Sequence, residues 1–393
     1  MKILIVSNLY PPNYIGGYEI GCSDFVNYVK KQKKYELKVL TSNYGIKKNN
    51  KKIIGDHNLV HRQLITDWSY SYNNRITVYL KNIYRELQNR FIFKKIINNF
   101  KPDIVFFWSL TGISLSLTNI CKNKKIPFSI YVFDEQYARL DEDFFYRQIR
   151  KIHQKYFPHL NNMIFASKFL KKSFDKLKLN FKNKKIKESV ISWGVRSQPL
   201  RKSKIKEKIN ILYVGQIVEH KGLHLLLSAI DILGNNIKKK IQVNIYGGII
   251  NKDYFLKNLN FVKKKNLQNI VSFKKKFNRS EMKGIMKNND ILVFPSIWDE
   301  PFGITLLEAQ SFGLAILASD TGGTKESLLD GIAGMLFKKN DIKDLTEKIK
   351  RLVLNKKLIE KYSKASQNNI KNNHLFSFVA EKILKNLRNS FNY

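Results

Sequence analysis

The stretch "IWDEPFGITLLEAQSFG" (297–313) sets two carboxylates, Glu300 and Glu308, on either side of a Pro-Phe-Gly turn and an apolar run. Ahead of it "DILVFPS" (290–296) reads as a buried strand. Behind it lies a helix beginning near Gly303 and ended by Gly313. A helix that opens at the carboxyl end of a strand presents N–H groups with no intrahelical partner and the positive end of its dipole. Together these attract an anion such as a diphosphate. Gly303 carries no side chain to hold that anion off. Carboxylates would be repelled if they touched the anion. They fit if each grips the hydroxyls of a sugar on its own side, Glu300 before the helix and Glu308 on its second turn. The plainer reading makes Glu300 a charge capping the helix start and Glu308 a solvated helix residue.

Short apolar runs separated by helical patterns must position these groups. In the first half, strands are expected at 2–7, 36–42, 102–108 and 127–134, with amphipathic helical patterns at 18–34 and 75–99. In the second half the strands fall at 209–215, 241–248, 269–273, 290–296 and 314–319, with a helix over 221–234. This alternation predicts parallel strands joined by helices. "RSQPLRKSKIKEK" (196–208) is basic, polar and without periodicity, as a linker would be. The expected architecture is α/β: two Rossmann-like, doubly wound domains facing each other across a cleft, where ligands bind beyond the carboxyl ends of the strands. The domains are expected at 1–197 and 209–365, joined by a linker at 198–208. The tail, 366–393, is expected to form a C-terminal helix packing back on the first domain through Phe378, Val379, Ile383, Leu384 and Leu387.

The 393 residues carry 71 basic and 31 acidic side chains, a net charge of +40. Such an excess suits either an acidic partner or a lysine-coated solvated surface, and the lysines are spread along the whole chain. Cys22 and Cys121 make neither a disulfide framework nor a metal site, which fits a reducing cytoplasm. "MKILIVSNLYPP" reads as a strand and turn rather than a signal peptide, and no apolar stretch approaches the ~18 to 20 residues of a spanning helix. A cytoplasmic protein is expected, soluble or peripheral on the inner face of a membrane.

The carboxylate stretch resembles the signature of the retaining glycosyltransferases of family four, also called glycosyltransferase group 1. That signature is a glutamate, seven residues and a second glutamate, and "EPFGITLLE" matches its central Pro-Phe-Gly as well. Further stretches are similar in the same order: "YPPNYIGGYE" (10–19) to the glycine-rich first loop, "ISWGVRSQP" (191–199) to the segment closing the first domain, "YVGQIVEHKG" (213–222) to a strand followed by a phosphate-binding Lys-Gly, and "SDTGGTKESLLDGIAGMLF" (319–337) to a Gly-Gly turn with a following glutamate. The resemblance spans most of the chain and implies the GT-B fold. It implies that Glu300 contacts the donor sugar and Glu308 the nucleotide ribose. Phe302, Gly303 and Ile304 would offer backbone amides, Lys221 would neutralise the leaving diphosphate, and Gly16 and Gly17 would let the first loop approach it. The reaction implied is transfer of a sugar from a nucleotide sugar to an acceptor hydroxyl with retained configuration, without a metal or other cofactor. A saccharide or lipid-linked saccharide acceptor, in the synthesis of surface polysaccharide or lipopolysaccharide, is the expected context.

Three departures stand out. Gln216 occupies the position of an arginine that the family pairs with the lysine, and a neutral amide does not replace its charge. In "YVFDEQY" (131–137) Phe133 replaces a histidine while Asp134 remains, an expected acceptor-side or sugar-contacting carboxylate. "FKKKF" (273–277) has lysines where glycine is common near the base pocket.

Competing readings rest on other stretches. "DED" (141–143) has the Asp141–Asp143 spacing of a divalent-metal site in the other glycosyltransferase fold, but also reads as a helix start rich in acid. His220 and His224 are four residues apart without a third ligand. The charge would suit a non-enzymatic polyanion or nucleic-acid-binding protein, yet no recognised module or localised basic face with stacking aromatics accompanies it, so no nucleic-acid partner is expected. "SKFLKKSFDKLKLNFKNKKIK" (167–187) lines up Leu170, Phe174, Leu177 and Phe181, suiting an anionic membrane surface or, preferably, packing on a sheet. A relative with other chemistry, such as a nucleotide-sugar epimerase, would act without an acceptor.

Overall fold

The computed structural model describes residues 1–45, 58–66, 75–114, 116–135, 160–176, 186–200, 205, 207–275, 277 and 279–391, without the side chains of 75–80. The chain divides into two compact units: Met1–Ile191 together with Ala380–Tyr393, and Ser192–Val379.

The first unit is built on a parallel sheet. Its strands are β1 (Lys2–Val6), β2 (Glu36–Ser42), β3 (Val60–Leu64), β4 (Ile104–Phe107), β5 (Phe128–Val132), β6 (Asn162–Phe165) and β7 (Lys187–Val190), in the order β3-β2-β1-β4-β5-β6-β7. Val6 stands beside Leu40 on one side and Phe107 on the other. Helices cover both faces of such a sheet, so its central strands bury every residue or nearly so and read as unbroken apolar runs. β4 "IVFF" and β5 "FSIYV" are buried throughout. The helices include α1 (Gly17–Lys31), α2 (Arg75–Phe100), α3 (Leu117–Asn123) and α4 (Lys168–Lys176). Phe25 of α1 packs edge-on against Phe106 at 5.7 Å and against Trp108 at 5.4 Å. Leu170 of α4 is buried and Phe174 packs on Phe165 at 5.3 Å, so this part of 167–187 serves the core. Leu177 and Phe181 lie outside the described residues.

The second unit repeats the plan. Its strands are β8 (Ile209–Val214), β9 (Ile241–Tyr246), β10 (Val271–Lys274), β11 (Ile291–Phe294), β12 (Ala315–Ser319) and β13 (Met335–Phe337), ordered β10-β9-β8-β11-β12-β13. Helices α5 (Leu223–Ile232), α6 (Lys252–Lys264), α7 (Met282–Lys287), α8 (Ile304–Ser311), α9 (Ile342–Leu354) and α10 (Lys356–Asn373) accompany them, and α11 (Phe376–Phe391) ends the chain. Alternation along each strand feeds two cores, as the period of two requires. Ile211, Val293 and Leu317 join Leu226 and Leu352 on one face, while Leu212, Leu292 and Ile316 join Leu306 and Ala309 on the other.

Two expectations need correction. The helix over 221–234 is interrupted: a 3₁₀ turn over Glu219–Lys221 precedes Gly222, whose φ of 69° is left-handed, and the α-helix starts at Leu223. Only glycine takes that conformation here without strain, so Lys221 stands on a turn rather than on a helix. In the tail, Val379, Ile383, Leu384 and Leu387 are buried but Phe378 is 47% exposed, since it lies across α11 from the buried stripe. The break between α10 and α11 falls at His374, and Ser192 to Lys208 belongs with the second unit. No helix among the described residues is long and apolar enough to cross a membrane.

Candidate active site

In the second sheet the strand order reverses between β8 and β11, and ligands of doubly wound sheets bind outside the carboxyl ends at such a switch point. The loop after β8 carries Gln216, His220 and Lys221; the loop after β11 carries Glu300, Phe302 and Gly303. Backbone bonds lock the two together, for the carbonyl of His220 accepts from Ile297 N–H at 3.0 Å and Trp298 N–H at 3.2 Å. Gly222 makes this approach feasible: a Cβ there would lie 1.8 Å from the carbonyl oxygen of Pro295.

Glu300 is 7% exposed, yet it does not cap the helix. Lys221 Nζ lies 2.5 Å from its Oε1, and Ser296 Oγ donates to the same oxygen at 2.8 Å. Gly303, φ 77°, is the residue before α8 and, being glycine, offers that helix no side-chain cap. The N–H groups of its first turn therefore lack the intrahelical partners that later turns have. A second glycine pair fixes the loop from behind: Gly323 N–H donates to Glu300 O at 2.6 Å, and a Cβ on Gly322 would sit 2.4 Å from that same oxygen. Phe302 is buried, its ring 5.8 Å from that of His374, and its carbonyl accepts from Ser327 Oγ. Glu308 is not a solvated helix residue either; its side chain is 13% exposed and meets Arg279 at 3.1 Å. Beside the pair, partial burial and then Lys221 push the His220 imidazole below its usual range, against the opposing pull of Glu300.

These residues carry two cations, two carboxylates and a helix N-terminus on a backbone held by close approaches at Gly222, Gly322 and Gly323. Arg279 and Ser296 went unnoticed in the sequence, being single polar residues whose partners are set by topology rather than spacing. Gln216 is exposed, and its carbonyl accepts from Tyr213 Oη at 3.0 Å. His224 bonds Tyr254 Oη rather than joining His220 on a metal. Among the described residues no group of three or more histidines, cysteines or acids could hold a metal ion, and Asp141 and Asp143 lie outside those residues.

In the first unit the strand order reverses between β1 and β4. Gly16 precedes α1, and its N–H donates to Glu19 Oε2 at 2.9 Å; Gly17 opens the helix. Glu19, another residue missed in the sequence, is fully buried, and that burial raises its carboxyl to about 7 despite the Gly16 bond. Asp134 follows β5 and accepts from Thr111 Oγ1 at 3.2 Å. A pocket joins the two to Tyr18, Ser109, Tyr131 and Phe133. Phe133 packs on Tyr131 at 4.0 Å and stacks on Tyr18 at 5.9 Å.

Two doubly wound parallel sheets, with a helix N-terminus and paired charges at the second one's switch point, define a protein of the GT-B class. Residues 196–371 match the family of glycosyl transferases group 1. An uncharacterized glycosyltransferase of Methanocaldococcus jannaschii is 29% identical over 365 residues, 91% of this chain and 90% of the relative. The capsular polysaccharide biosynthesis glycosyltransferase CapM of Staphylococcus aureus is 26% identical over 207 residues, 49% of this chain and 51% of CapM. In fold, HepE of Anabaena, solved in complex with UDP, superposes with a TM-score of 0.74 at 17% identity, over 99% of this chain and 100% of HepE. Over residues 196–371 the chain carries a group 1 glycosyl transferase domain, and it is a glycosyltransferase enzyme.

Proposed function

We propose that the enzyme moves a sugar from a nucleoside-diphosphate donor to a hydroxyl of a saccharide or lipid-linked saccharide, with retention, in the synthesis of a cell-surface polysaccharide or lipopolysaccharide. The observation that carries this reading is the Lys221–Glu300 pair, held at the switch point beside the open N-terminus of α8. The amides of Phe302, Gly303 and Ile304 would hold diphosphate oxygens, Glu308 the ribose hydroxyls and Glu300 the hydroxyls of the transferred sugar. Lys221 then has two partners to serve, the sugar-binding carboxylate and the diphosphate.

As the bond from the anomeric carbon to the phosphate oxygen breaks, negative charge grows on the diphosphate. A cation already fixed in place stabilises that charge without reorganising. The acceptor oxygen bonds to the anomeric carbon and its proton passes to the departing phosphate, so no protein base is needed. Asp134, with Thr111 and the aromatic wall of Tyr18 and Phe133, is assigned to the acceptor. The likeness to CapM, whose name gives capsular polysaccharide biosynthesis, supports the biological context. The site is assigned no resident metal.

A thermal-shift panel of UDP, GDP, ADP and CDP, each with EDTA or Mg²⁺, tests the donor site. A nucleotide at a hundred times its Kd should add about 2.7 kcal/mol of stability. One base should be preferred, and the shift should survive EDTA; dependence on Mg²⁺ would point to an ion this reading omits. Incubating the matching nucleotide sugar without acceptor separates an epimerase, which would convert it, from the transferase proposed.

A further inference from the structure

α2 buries one face through Phe93, Ile96, Ile97 and Phe100, and Asn89 fixes it to the chain by bonding both backbone groups of Ile65 at 2.8 Å. The opposite face is apolar too. Tyr84, Leu87 and Phe91 are 58%, 56% and 67% exposed. At 3.6 residues per turn these three directions fall within about 60° of one another. Scattered exposed apolar side chains are ordinary; three in line along one helix form a strip. The strip is set among bases: Lys81, Lys94 and Lys95 are exposed beside it, with Arg85 and Arg90 farther round. Glu86 is the one acid from 81 to 100, and it is turned aside toward Arg90 and the hydroxyl of Ser116.

We propose that this face of α2 seats the enzyme on an anionic phospholipid surface, with Tyr84, Leu87 and Phe91 entering the boundary between headgroups and acyl chains and the lysines meeting lipid phosphates. An amphipathic helix with bases flanking its apolar strip has the composition that binds such a surface. Charge complementarity selects the occupant, because a second copy of this chain would bring Lys81, Lys94 and Lys95 against their own counterparts. Size points the same way. A stable protein partner covers about 800 Å² on each side, whereas a strip one helix wide and, from Tyr84 to Phe91, about 11 Å long offers a fraction of that. A bilayer needs no shape match. The inference stands apart from the donor site and does not rest on it.

Flotation of the full chain with phosphatidylcholine vesicles, with and without phosphatidylglycerol, tests the proposal. The chain should float with the anionic vesicles at low salt and be released as salt rises. The triple variant Tyr84→Ser/Leu87→Ser/Phe91→Ser keeps every charge and loses only exposed apolar groups, so its melting temperature should hold while its vesicle affinity falls roughly tenfold or more. Phe91→Trp adds a direct probe, whose emission should shift to the blue on binding. Unchanged affinity of the triple variant would overturn the proposal, since binding would then come from charge elsewhere. So would the absence of anionic-vesicle binding at low salt, or an unshifted emission from the vesicle-bound Phe91→Trp variant. A dimer in ultracentrifugation that the triple variant abolishes, with no vesicle binding, would make a second copy the occupant instead.

Discussion

At the scale of single residues, Lys221 and Glu300 form one charge unit. With side chains 22% and 9% exposed, the pair is shielded enough that removing one member strands the other. Lys221→Ala leaves the Glu300 carboxylate with Ser296 as a named partner, which should cost about 1–3 kcal/mol of stability. The same change should lower kcat by roughly a hundredfold or more, as loss of a fixed transition-state charge does. The double variant Lys221→Ala/Glu300→Gln should recover most of the stability and none of the rate. Parallel urea denaturation and initial-rate assays check this; recovery of rate along with stability would remove Lys221 from the chemistry. Glu19 gives a pH signature in the first unit. Its folded carboxyl titrates near 7 instead of 4.5, burial being the main cause. Between those values the folded chain binds a proton that the unfolded chain has released. The contribution is therefore full below about 4.5 and is lost as pH rises through 7. At about 1.4 kcal/mol per pKa unit this reaches at most roughly 3 kcal/mol. Glu19→Gln keeps an acceptor for Gly16 N–H and cannot ionise, so its stability from pH 5 to 7.5 should be flatter than the parent's, as thermal melts across that range would record.

At the scale of elements, the site depends on backbone approaches that only glycine permits. Gly222 combines a left-handed φ with a Cβ position 1.8 Å from Pro295 O, whereas Gly331, φ 96°, has open space around it. Gly331→Ala should therefore cost only the backbone strain, about 1–2 kcal/mol. Gly222→Ala must also move the β11 loop, and should lose about 4 kcal/mol, with donor binding lost in any folded remnant. Equal destabilisation of the two variants, measured by urea denaturation, would contradict this. The same elements explain what the sequence revealed. Strands β1, β4, β8, β11 and β12 are legible because burial on both faces turns them into apolar runs, and α8 is legible because Gly303 and Gly313 punctuate it. β3 "VHRQL" and β7 "KESV" lie at the sheet edge and carry polar residues, while β6 "NMIF" and β13 "MLF" are too short to stand out. Both carboxylates of the site were legible from an eight-residue spacing. Their partners Lys221 and Arg279 lie 79 and 29 residues away, distances bridged by strand order and not by any local pattern.

At the scale of the whole molecule, the chain finishes where it began. Ala380–Tyr393 clusters with Met1–Ile191, so residues distant in sequence complete the first unit. The bonds are specific. Asn162 Nδ2 donates to Asn386 Oδ1 and Ser390 Oγ, both at 2.6 Å; Asn386 donates to Ser189 Oγ at 3.1 Å; and Glu381 accepts from Tyr28 and Gln32. Leu384 and Leu387 are fully buried. A cavity left by Leu384→Ala should cost about 2–5 kcal/mol, the range for a buried leucine whose surroundings relax only partly. That loss belongs to the first unit. Calorimetry of the variant with and without the preferred nucleotide separates the two units, because a ligand raises only the transition of the unit it binds. The nucleotide-sensitive transition should stay within about a degree of the parent's, while the other falls by several degrees, given the roughly 2–4 °C per kcal/mol of a unit this size. A variant whose nucleotide-sensitive transition falls instead would place the final helix in the energetics of the second unit, against the division of its packing.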